Sequence, residues 1–264
     1  DAFTLSLSQQ PTKQLGWSVA LTRTSATEVS PLTSSVANSN FNSRSIFNPN
    51  EEVAANSAYL IRNRISGSLT WSQAFFGDKK TTVGLFYEGR TGHTYSWTFN
   101  NDLNGDGVAG NDLMYIPSKP GSGEVIFAGG AADEARFWDI VNRYPELTKS
   151  IGGVTKRNGS HSPWVNNFDL RVSQELPGLR AGHKGWLTFD FLNVGNMLNS
   201  QWGRIDEVLF QSAGGAARSF VNYKGLDASG KYIYSTMPAA ESIETRQVKG
   251  ESQWAMQITV KYEF

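Results

Sequence analysis

The C-terminal stretch of the chain reads Trp254-Ala-Met-Gln-Ile-Thr-Val-Lys-Tyr-Glu-Phe264. Its side chains alternate without a break, with large apolar residues on one face and mostly polar residues on the other. A period of two is typical of a β-strand whose two faces meet different environments. A strand of about 11 residues is also long enough to cross a bilayer at a tilt of roughly 45°. The stretch is predicted to close an outer-membrane barrel with its apolar face in lipid, although a strand of a soluble sandwich or lipocalin-like barrel would alternate in the same way.

Composition narrows the class of protein without deciding it. The 264 residues include 24 basic and 24 acidic side chains, so the charges cancel and no global field favours nucleic acid as a partner. The chain has no cysteine, which excludes disulfide scaffolds, thiolate zinc sites and cysteine nucleophiles. No apolar run approaches the roughly 20 residues of a membrane helix. Aromatic residues at 12% and 26 glycines suit an all-β chain with many turns.

The same alternation recurs along the chain and predicts about seven long strands. They lie near residues 3–7, 17–21, 65–76, 83–99, 168–172, 187–191 and 254–264. The fourth strand is expected to run from Val83 as far as Trp97 or Phe99. Its aromatic end, formed by Tyr95, Trp97 and Phe99, is predicted to be a girdle at one membrane interface.

The connections between these strands are of two kinds, and the two kinds alternate along the chain. Short turns are predicted near residues 9–15, 77–80 and 177–185, and long connections near 30–61, 100–163 and 196–252. Successive connections of an antiparallel sheet lie at opposite ends, so all short turns share one rim and all long connections share the other. Bacterial outer-membrane barrels have this asymmetry. The chain is therefore predicted to form a transmembrane antiparallel β-barrel in the bacterial outer membrane, with extracellular long loops and a periplasmic C-terminus.

The long connections carry little regular structure of their own in this interpretation. One short helix is predicted over residues 131–144, because apolar residues recur on one side and Pro145 ends the pattern. A small hairpin is predicted for residues 219–223 and 231–234. Single-chain bacterial barrels have an even number of strands, from about eight upward, so the predicted strands are too few to close one. Residues 1–264 are expected to be the C-terminal part of a larger barrel, with the first strands upstream.

The sharpest local motif is acidic and lies in the second long connection. Its candidate calcium ligands are Asp102, Asn104, Asp106 and Asp112. The first three occupy every second position before Gly107, as ligands do at the start of an EF-hand calcium loop. The motif departs from an EF-hand at the twelfth position, which is Leu113 instead of Glu. The alternative is a turn rich in Asp and Asn whose side chains cap their own backbone.

No constellation of side chains in the sequence predicts catalysis. His93, His161 and His183 are scattered, and no nucleophile elbow, phosphate loop or dinucleotide fingerprint occurs. The protein is therefore predicted not to be an enzyme. Aromatic residues of the long loops are candidates for stacking against a ligand, although loop packing and an interfacial girdle explain most of them equally well. These residues are Trp138, Tyr144, Trp164, Trp202 and Tyr223.

Several stretches resemble segments of Oar-like TonB-dependent outer-membrane receptors, and the resemblance is strongest from residue 81 to the end. The similar segments are Asn101-Asp-Leu-Asn-Gly-Asp-Gly, Asn111-Asp-Leu-Met-Tyr-Ile-Pro117, Pro163-Trp-Val-Asn-Asn-Phe-Asp-Leu-Arg-Val-Ser-Gln-Glu-Leu-Pro177, Asp190-Phe-Leu-Asn-Val-Gly-Asn-Met-Leu-Asn199 with Trp202-Gly, and Lys261-Tyr-Glu-Phe264.

The resemblance implies a barrel of about 22 strands filled by an N-terminal plug. It also implies energy coupling through the TonB complex, which acts on a plug that this sequence does not contain. The terminal strand with Tyr262 and Phe264 is similar to the signal read by the barrel-assembly machinery. The expected partners are outer-membrane lipid, the TonB complex, that machinery and an extracellular ligand whose identity the resemblance does not fix. The alternative function is surface adhesion or a structural role without active transport, and no cofactor beyond calcium is expected.

Overall fold

A seven-stranded antiparallel sheet dominates the computed structural model, which describes residues 1–42, 44–208, 210–211, 215–237, 246–248 and 250–264. The strands in chain order are β1 (Ala2–Gln9), β2 (Leu15–Thr24), β3 (Asn63–Phe76), β4 (Lys79–Arg90), β5 (Val165–Pro177), β6 (Lys184–Leu192) and β7 (Ala255–Glu263). Each strand pairs with the next one along the chain. Among the described residues, the edge strands β1 and β7 pair on one side only. The prediction of a mostly β fold with seven long strands is confirmed, except that the fourth strand ends earlier than predicted.

The pairing register aligns apolar residues of neighbouring strands on one face of the sheet. One continuous row consists of Trp17, Leu69, Leu85, Leu170, Phe191 and Met256. The next row consists of Leu15, Trp71, Val83, Val172, Phe189 and Ile258. The buried core formed by the long connections does not pack on this face, and Leu69 on the central strand β3 and Ile258 on the edge strand β7 are 43% and 55% exposed. The sheet therefore presents an apolar surface that crosses all of its central strands.

The opposite face of the sheet is polar, and its groups bond to one another across strands. A row of hydroxyl side chains consists of Ser72, Thr82, Ser173, Thr188 and Thr259. Ser72 and Thr82 share a hydrogen bond of 3.1 Å, and so do Ser173 and Thr188 at 2.8 Å. Ion pairs join Arg64 to Glu88 at 2.6 Å and Arg171 to Asp190 at 2.5 Å. Polar pairs of this kind suit a face that meets water.

The connections divide as predicted, because the three short turns lie at one end of the sheet and the three long connections at the other. The short turns follow β1, β3 and β5, and the tightest contains Gly77 at φ +65°. The long connections are residues 25–62, 91–164 and 193–254. Part of the third predicted loop, residues 209, 212–214, 238–245 and 249, lies outside the described residues.

The long connections pack into one unit, here called the loop body, which consists of the described residues of 25–62, 91–164 and 193–254. Its helices are α1 (Ala37–Asn42), α2 (Gly130–Arg143), α3 (Pro145–Thr148) and α4 (Val194–Leu198). Its short strands are Thr27–Glu28, Ala55–Asn56, Thr94–Thr98, Tyr115–Ile116, Ile126–Phe127, Gly153–Val154, Ser160–His161, Asp206–Glu207, Phe210–Gln211, Gly215–Ser219, Val221–Leu226, Tyr232–Thr236 and Arg246–Gln247. The predicted helix and hairpin are confirmed, whereas the prediction of a single helix is wrong.

Among the described residues, the main hydrophobic cluster lies in the loop body. Its buried members are Tyr95, Trp97, Phe99, Met114, Ile116, Val125, Phe137, Trp138, Ile140, Val141, Leu147, Val208, Phe220, Val221 and Tyr234. None of them belongs to β1–β7. The helix α2 is amphipathic, and its apolar face packs into this core. The helix ends before Tyr144, and Pro145 follows, as the sequence predicts.

The predicted extension of the fourth strand is wrong, and so is the girdle assigned to its end. β4 ends at Arg90, and a separate strand, Thr94–Thr98, pairs with Ser160–His161 and runs parallel to Gly215–Ser219. Every side chain of Thr94–Thr98 is buried, so Tyr95, Trp97 and Phe99 face the core of the loop body instead of a membrane interface. Alternation was misleading here because the small polar residues between the aromatics are also buried.

Among the described residues, no helix is both long and apolar enough to cross a membrane.

Candidate functional site

The loop body is the candidate functional region, because all three long connections contribute to it and hold one another in place. The Asn101 side chain bonds twice to the backbone of Tyr223, once as donor and once as acceptor, both at 2.8 Å. The Asn56 and Asn158 amides each donate to the other's carbonyl, at 2.9 and 2.8 Å. The Arg157 guanidinium donates to two carbonyls of the first loop. The loops therefore form one packed surface at a single end of the sheet.

The acidic motif forms a compact turn in which each candidate ligand accepts a backbone N–H. Asp102 accepts from Gly105 and Gly107 at 2.7 and 2.9 Å. Asn104 accepts from the N–H of Asp106 at 2.9 Å, and Asp106 accepts from Val108 at 2.8 Å. These are the self-capping bonds that the alternative interpretation predicts.

Asp112 closes the same turn from its far side. It is 1% exposed, and its Oδ2 accepts the N–H of Leu103 at 2.6 Å. Burial, together with the neighbouring carboxylates of Asp106 and Asp102, raises the pKa of Asp112 to about 6. The carboxylates of Asp102 and Asp106 therefore lie near enough to disfavour the charged form of Asp112.

Two buried oxygen atoms of this turn lack a protein partner within the described residues. They are Asp112 Oδ1 and Asn111 Oδ1, and both side chains are almost completely inaccessible to solvent. Asn111 had no role in the sequence-based motif, although its Nδ2 donates to Asp106 Oδ2 at 2.9 Å. In the part of the chain that the structure describes, no group of three His, Cys, Asp or Glu side chains could hold a metal ion as it stands. Calcium at this turn stays a prediction.

A second feature that the sequence did not suggest is a buried arginine among aromatic rings. The Arg218 guanidinium lies 5.5, 5.1 and 5.0 Å from the ring centres of Tyr95, Trp97 and Tyr144. It donates to the hydroxyls of Tyr95 and Tyr144, both at 3.3 Å. The Tyr95 hydroxyl in turn donates to Glu146 at 3.0 Å. Burial, reinforced by the Glu146 carboxylate, raises the pKa of Tyr95 above its usual range.

An open cavity of about 440 Å³ adjoins this cluster and is lined by Tyr95, Tyr144, Glu146, His161, Ser162, Pro163 and Arg218. Burial, with the nearby Arg62 charge, lowers the pKa of His161. His93 lies elsewhere, 3.7 Å from Glu207, and His183 lies in the β5–β6 turn, so the three histidines do not assemble. The prediction that the protein is not an enzyme stays a prediction.

The loop aromatics that were candidates for ligand stacking divide into two groups. Trp138 belongs to the core, and Tyr144 and Tyr223 pack against it. Trp164 and Trp202 are 40% and 56% exposed and line a second cavity of about 490 Å³. Trp164, Trp202 and Tyr144, which lines the cavity beside Arg218, therefore have faces that border open space.

The two residues of the predicted assembly signal lie at the short-turn end of the sheet. The Tyr262 hydroxyl bonds to His183 Nδ1 at 2.7 Å and accepts the N–H of Leu179 at 3.2 Å, so it ties β7 to the β5–β6 turn. Phe264 is 98% exposed. Recognition of these residues by an assembly machinery stays a prediction.

Comparison with known proteins adds no relative: no family model, no curated protein and no solved structure matches the chain. The resemblance to Oar-like receptors therefore stays a prediction.

Proposed function

We propose that the chain forms part of the wall of a bacterial outer-membrane barrel and that the loop body faces the outside of the cell as the ligand-capturing surface of a TonB-dependent receptor. The observation that carries this proposal is the uncovered apolar face of the sheet. Its rows run unbroken across the central strands, opposite a face of bonded hydroxyls and ion pairs. In an outer-membrane barrel the apolar face would meet lipid and the polar face would meet the water-filled interior.

The dimensions of the strands support a membrane crossing. The central strands β3, β4 and β5 contain 14, 12 and 13 residues. At about 3.3 Å per residue and a tilt of roughly 45°, they span roughly 28 to 33 Å, which is enough for the apolar band of about 25 Å in outer-membrane barrels.

Aromatic residues at both ends of the apolar face also support the proposal. At the long-loop end, the rings of Tyr87 and Phe168 lie 4.7 Å apart. The Tyr87 hydroxyl and the Trp164 indole both donate to the side-chain oxygen of Asn166, at 2.8 and 3.0 Å. At the short-turn end, Tyr262 presents an apolar ring and a bonded hydroxyl. Rings with one polar atom are favoured where hydrocarbon meets water.

The two open edges of the sheet bear on the size of the barrel. Exposed backbone groups on a lipid-facing edge are too costly to persist in a bilayer, so β1 and β7 need further strands as partners. The resemblance to Oar-like receptors supplies the rest of the proposal, namely about 22 strands, a plug, and coupling to the TonB complex. The barrel-assembly machinery would read Tyr262 and Phe264.

Cysteine labelling in intact cells tests the orientation of the wall. Residues 1–264 contain no cysteine, so Ala228→Cys in the loop body and Asp78→Cys in a short turn each introduce one thiol into this part of the protein, and the parent protein serves as the labelling control. We expect a membrane-impermeant maleimide to label Ala228→Cys on intact cells and Asp78→Cys only after the outer membrane is permeabilised. Equal labelling of the two variants on intact cells would contradict the proposal.

The alternative function, a surface adhesin or structural outer-membrane protein, uses the same wall and the same loop body. The two functions differ in energy coupling. The natural full-length protein, purified in detergent, is therefore mixed with the periplasmic domain of TonB. A saturable complex supports the receptor, and the absence of a complex favours the adhesin.

A further inference from the structure

We propose that the turn formed by Asp102, Asn104, Asp106, Asn111 and Asp112 binds one calcium ion, which fastens the three long loops to one another. This inference concerns the loop body alone and does not depend on the proposed barrel or on transport. Asn111 enters the ligand set from the structure, because the sequence motif had given it no role.

The first half of the turn has the spacing and the backbone shape of a calcium loop. Asp102, Asn104 and Asp106 supply oxygens at alternate positions, and Gly107 follows with φ +84°. That left-handed conformation favours glycine and makes the sharp bend that brings alternate side chains round a common centre.

The second half of the turn supplies the observation that points to a ligand. Asp112 and Asn111 are 1% and 0% exposed, and in the described part of the chain neither Oδ1 has a hydrogen-bond partner. A buried carboxylate oxygen without a partner is costly to a fold. Both side chains are anchored to the first half of the turn, Asp112 through Leu103 and Asn111 through Asp106. A cation at the turn would supply the partner of both oxygens, whereas the amide nitrogen of Asn104, which also lacks a partner among the described residues, needs an acceptor.

The backbone bonds of the turn are compatible with an ion. A carboxylate offers roughly four lone-pair positions, and a single N–H occupies one of them. Calcium accepts 6 to 8 oxygens from carboxylates, amides, peptide carbonyls and water, at roughly 2.3 to 2.6 Å in flexible geometry. Such a site does not need three converging carboxylates, because amide and carbonyl oxygens and water can be ligands. It is therefore compatible with the finding that no three His, Cys, Asp or Glu side chains converge among the described residues.

The position of the turn explains what the ion would do. The carbonyl of Asn111 accepts the N–H of Ile46 from the first loop at 2.8 Å, and the carbonyl of Asp112 accepts the N–H of Phe99 at 2.8 Å. At the other end of the turn, Asn101 is bonded to Tyr223 of the third loop. An ion that fixes the turn therefore fixes contacts among all three loops.

Calcium titration of the natural full-length protein in lipopolysaccharide-free detergent tests the proposal. The informative variant is Asp112→Asn, because its amide oxygen can keep the bond to Leu103 while the charge at Oδ1 is lost. The matched control is Asp227→Asn, since Asp227 caps a turn through N–H groups of Ser229 and Lys231 in the same way. Calorimetry measures the binding of calcium, and the rate of amide hydrogen exchange in residues 97–116 measures how rigidly the turn is held.

We expect the parent and Asp227→Asn to bind one calcium ion with a Kd on the order of 10⁻⁴ to 10⁻³ M, as extracellular calcium modules do. Asp112→Asn should bind about tenfold more weakly or not at all. Calcium should slow exchange of residues 97–116 in the parent and in the control but not in Asp112→Asn. Absence of saturable binding to the parent, equal binding to parent and Asp112→Asn, or exchange that calcium leaves unchanged would each overturn the proposal.

Discussion

Large apolar side chains are exposed on the sheet and buried in the loop body. The largest fully buried side chains among the described residues, such as Trp97, Phe99 and Phe137, all lie outside β1–β7. Large apolar residues of the edge strands, such as Leu5 on β1 and Ile258 on β7, are more than half exposed, and Leu69 on the central strand β3 is 43% exposed. A water-soluble sheet would cover such a face with a second layer. The loop body buries its large apolar side chains and the sheet exposes them, and the proposed membrane wall rests on this difference.

This difference predicts that the two regions respond to different mutations. The side chains of the loop body form a packed core, so we expect its stability to fall when a buried side chain is made smaller. The apolar face of the sheet does not belong to the core of the loop body, so we expect its stability to depend on the polarity of its side chains and much less on their exact shape.

The largest effect is expected from Phe137→Ala in the loop body. The Phe137 ring is fully buried, with ring centres of Phe127 and Phe220 at 5.3 and 5.5 Å. Its loss should lower the free energy of unfolding of the loop body by about 3–5 kcal/mol, through lost burial and the cavity left behind. Protease cleavage within residues 91–164, measured against urea concentration, reports this change.

The control for this prediction is the same chemical change on the sheet. Phe3 is 69% exposed and lies on the edge strand β1, away from the core of the loop body. Phe3→Ala should leave the urea dependence of loop cleavage unchanged. Equal shifts in the two variants would mean that the sheet and the loop body do not differ in the way described.

The next largest effect is expected from Phe189→Arg on the apolar face of β6. An arginine near the middle of a lipid-facing surface costs about 2–4 kcal/mol in outer-membrane barrels. The neighbouring variant Thr188→Arg places the same charge on the hydroxyl face, beside Ser173 and Thr259, and should cost much less. Urea unfolding of the protein in lipid vesicles measures both. A larger loss in Thr188→Arg would reverse the assignment of the two faces.

The sheet could be predicted from the sequence because its determinants are local. Each strand alternates over its own length, so Val83, Leu85 and Tyr87 lie on one face whatever they pair with. Turn and loop lengths then fix which connections share a rim. The acidic turn was predictable for the same reason, since Asp102, Asn104 and Asp106 act within a few residues of one another.

The loop body could not be predicted in this way, because its contacts join distant segments. The hydroxyls of Thr94 and Thr98 bond to Ser57 and Ser219, far away in the sequence, so alternation alone could not reveal that both faces are buried. Asn111 looks like an ordinary loop residue until its backbone carbonyl meets Ile46. The aromatic surroundings of Arg218 likewise come from positions 95, 97 and 144.

The smallest of these effects is expected from Arg218→Lys, which tests whether the buried cation belongs to the packing of the loop body. Lysine keeps the charge, but it loses the planar surface that lies against Trp97 and the paired donors to Tyr95 and Tyr144. A desolvated cation–aromatic contact is worth about 2 kcal/mol, so we expect a loss of about 1–2 kcal/mol in the urea dependence of loop cleavage. Arg143→Lys, at an exposed ion pair with Asp139 on α2, should cost close to nothing. If both substitutions were equally mild, the Arg218 charge would be solvated and the cluster would not be part of the packed interior that distinguishes the loop body from the sheet.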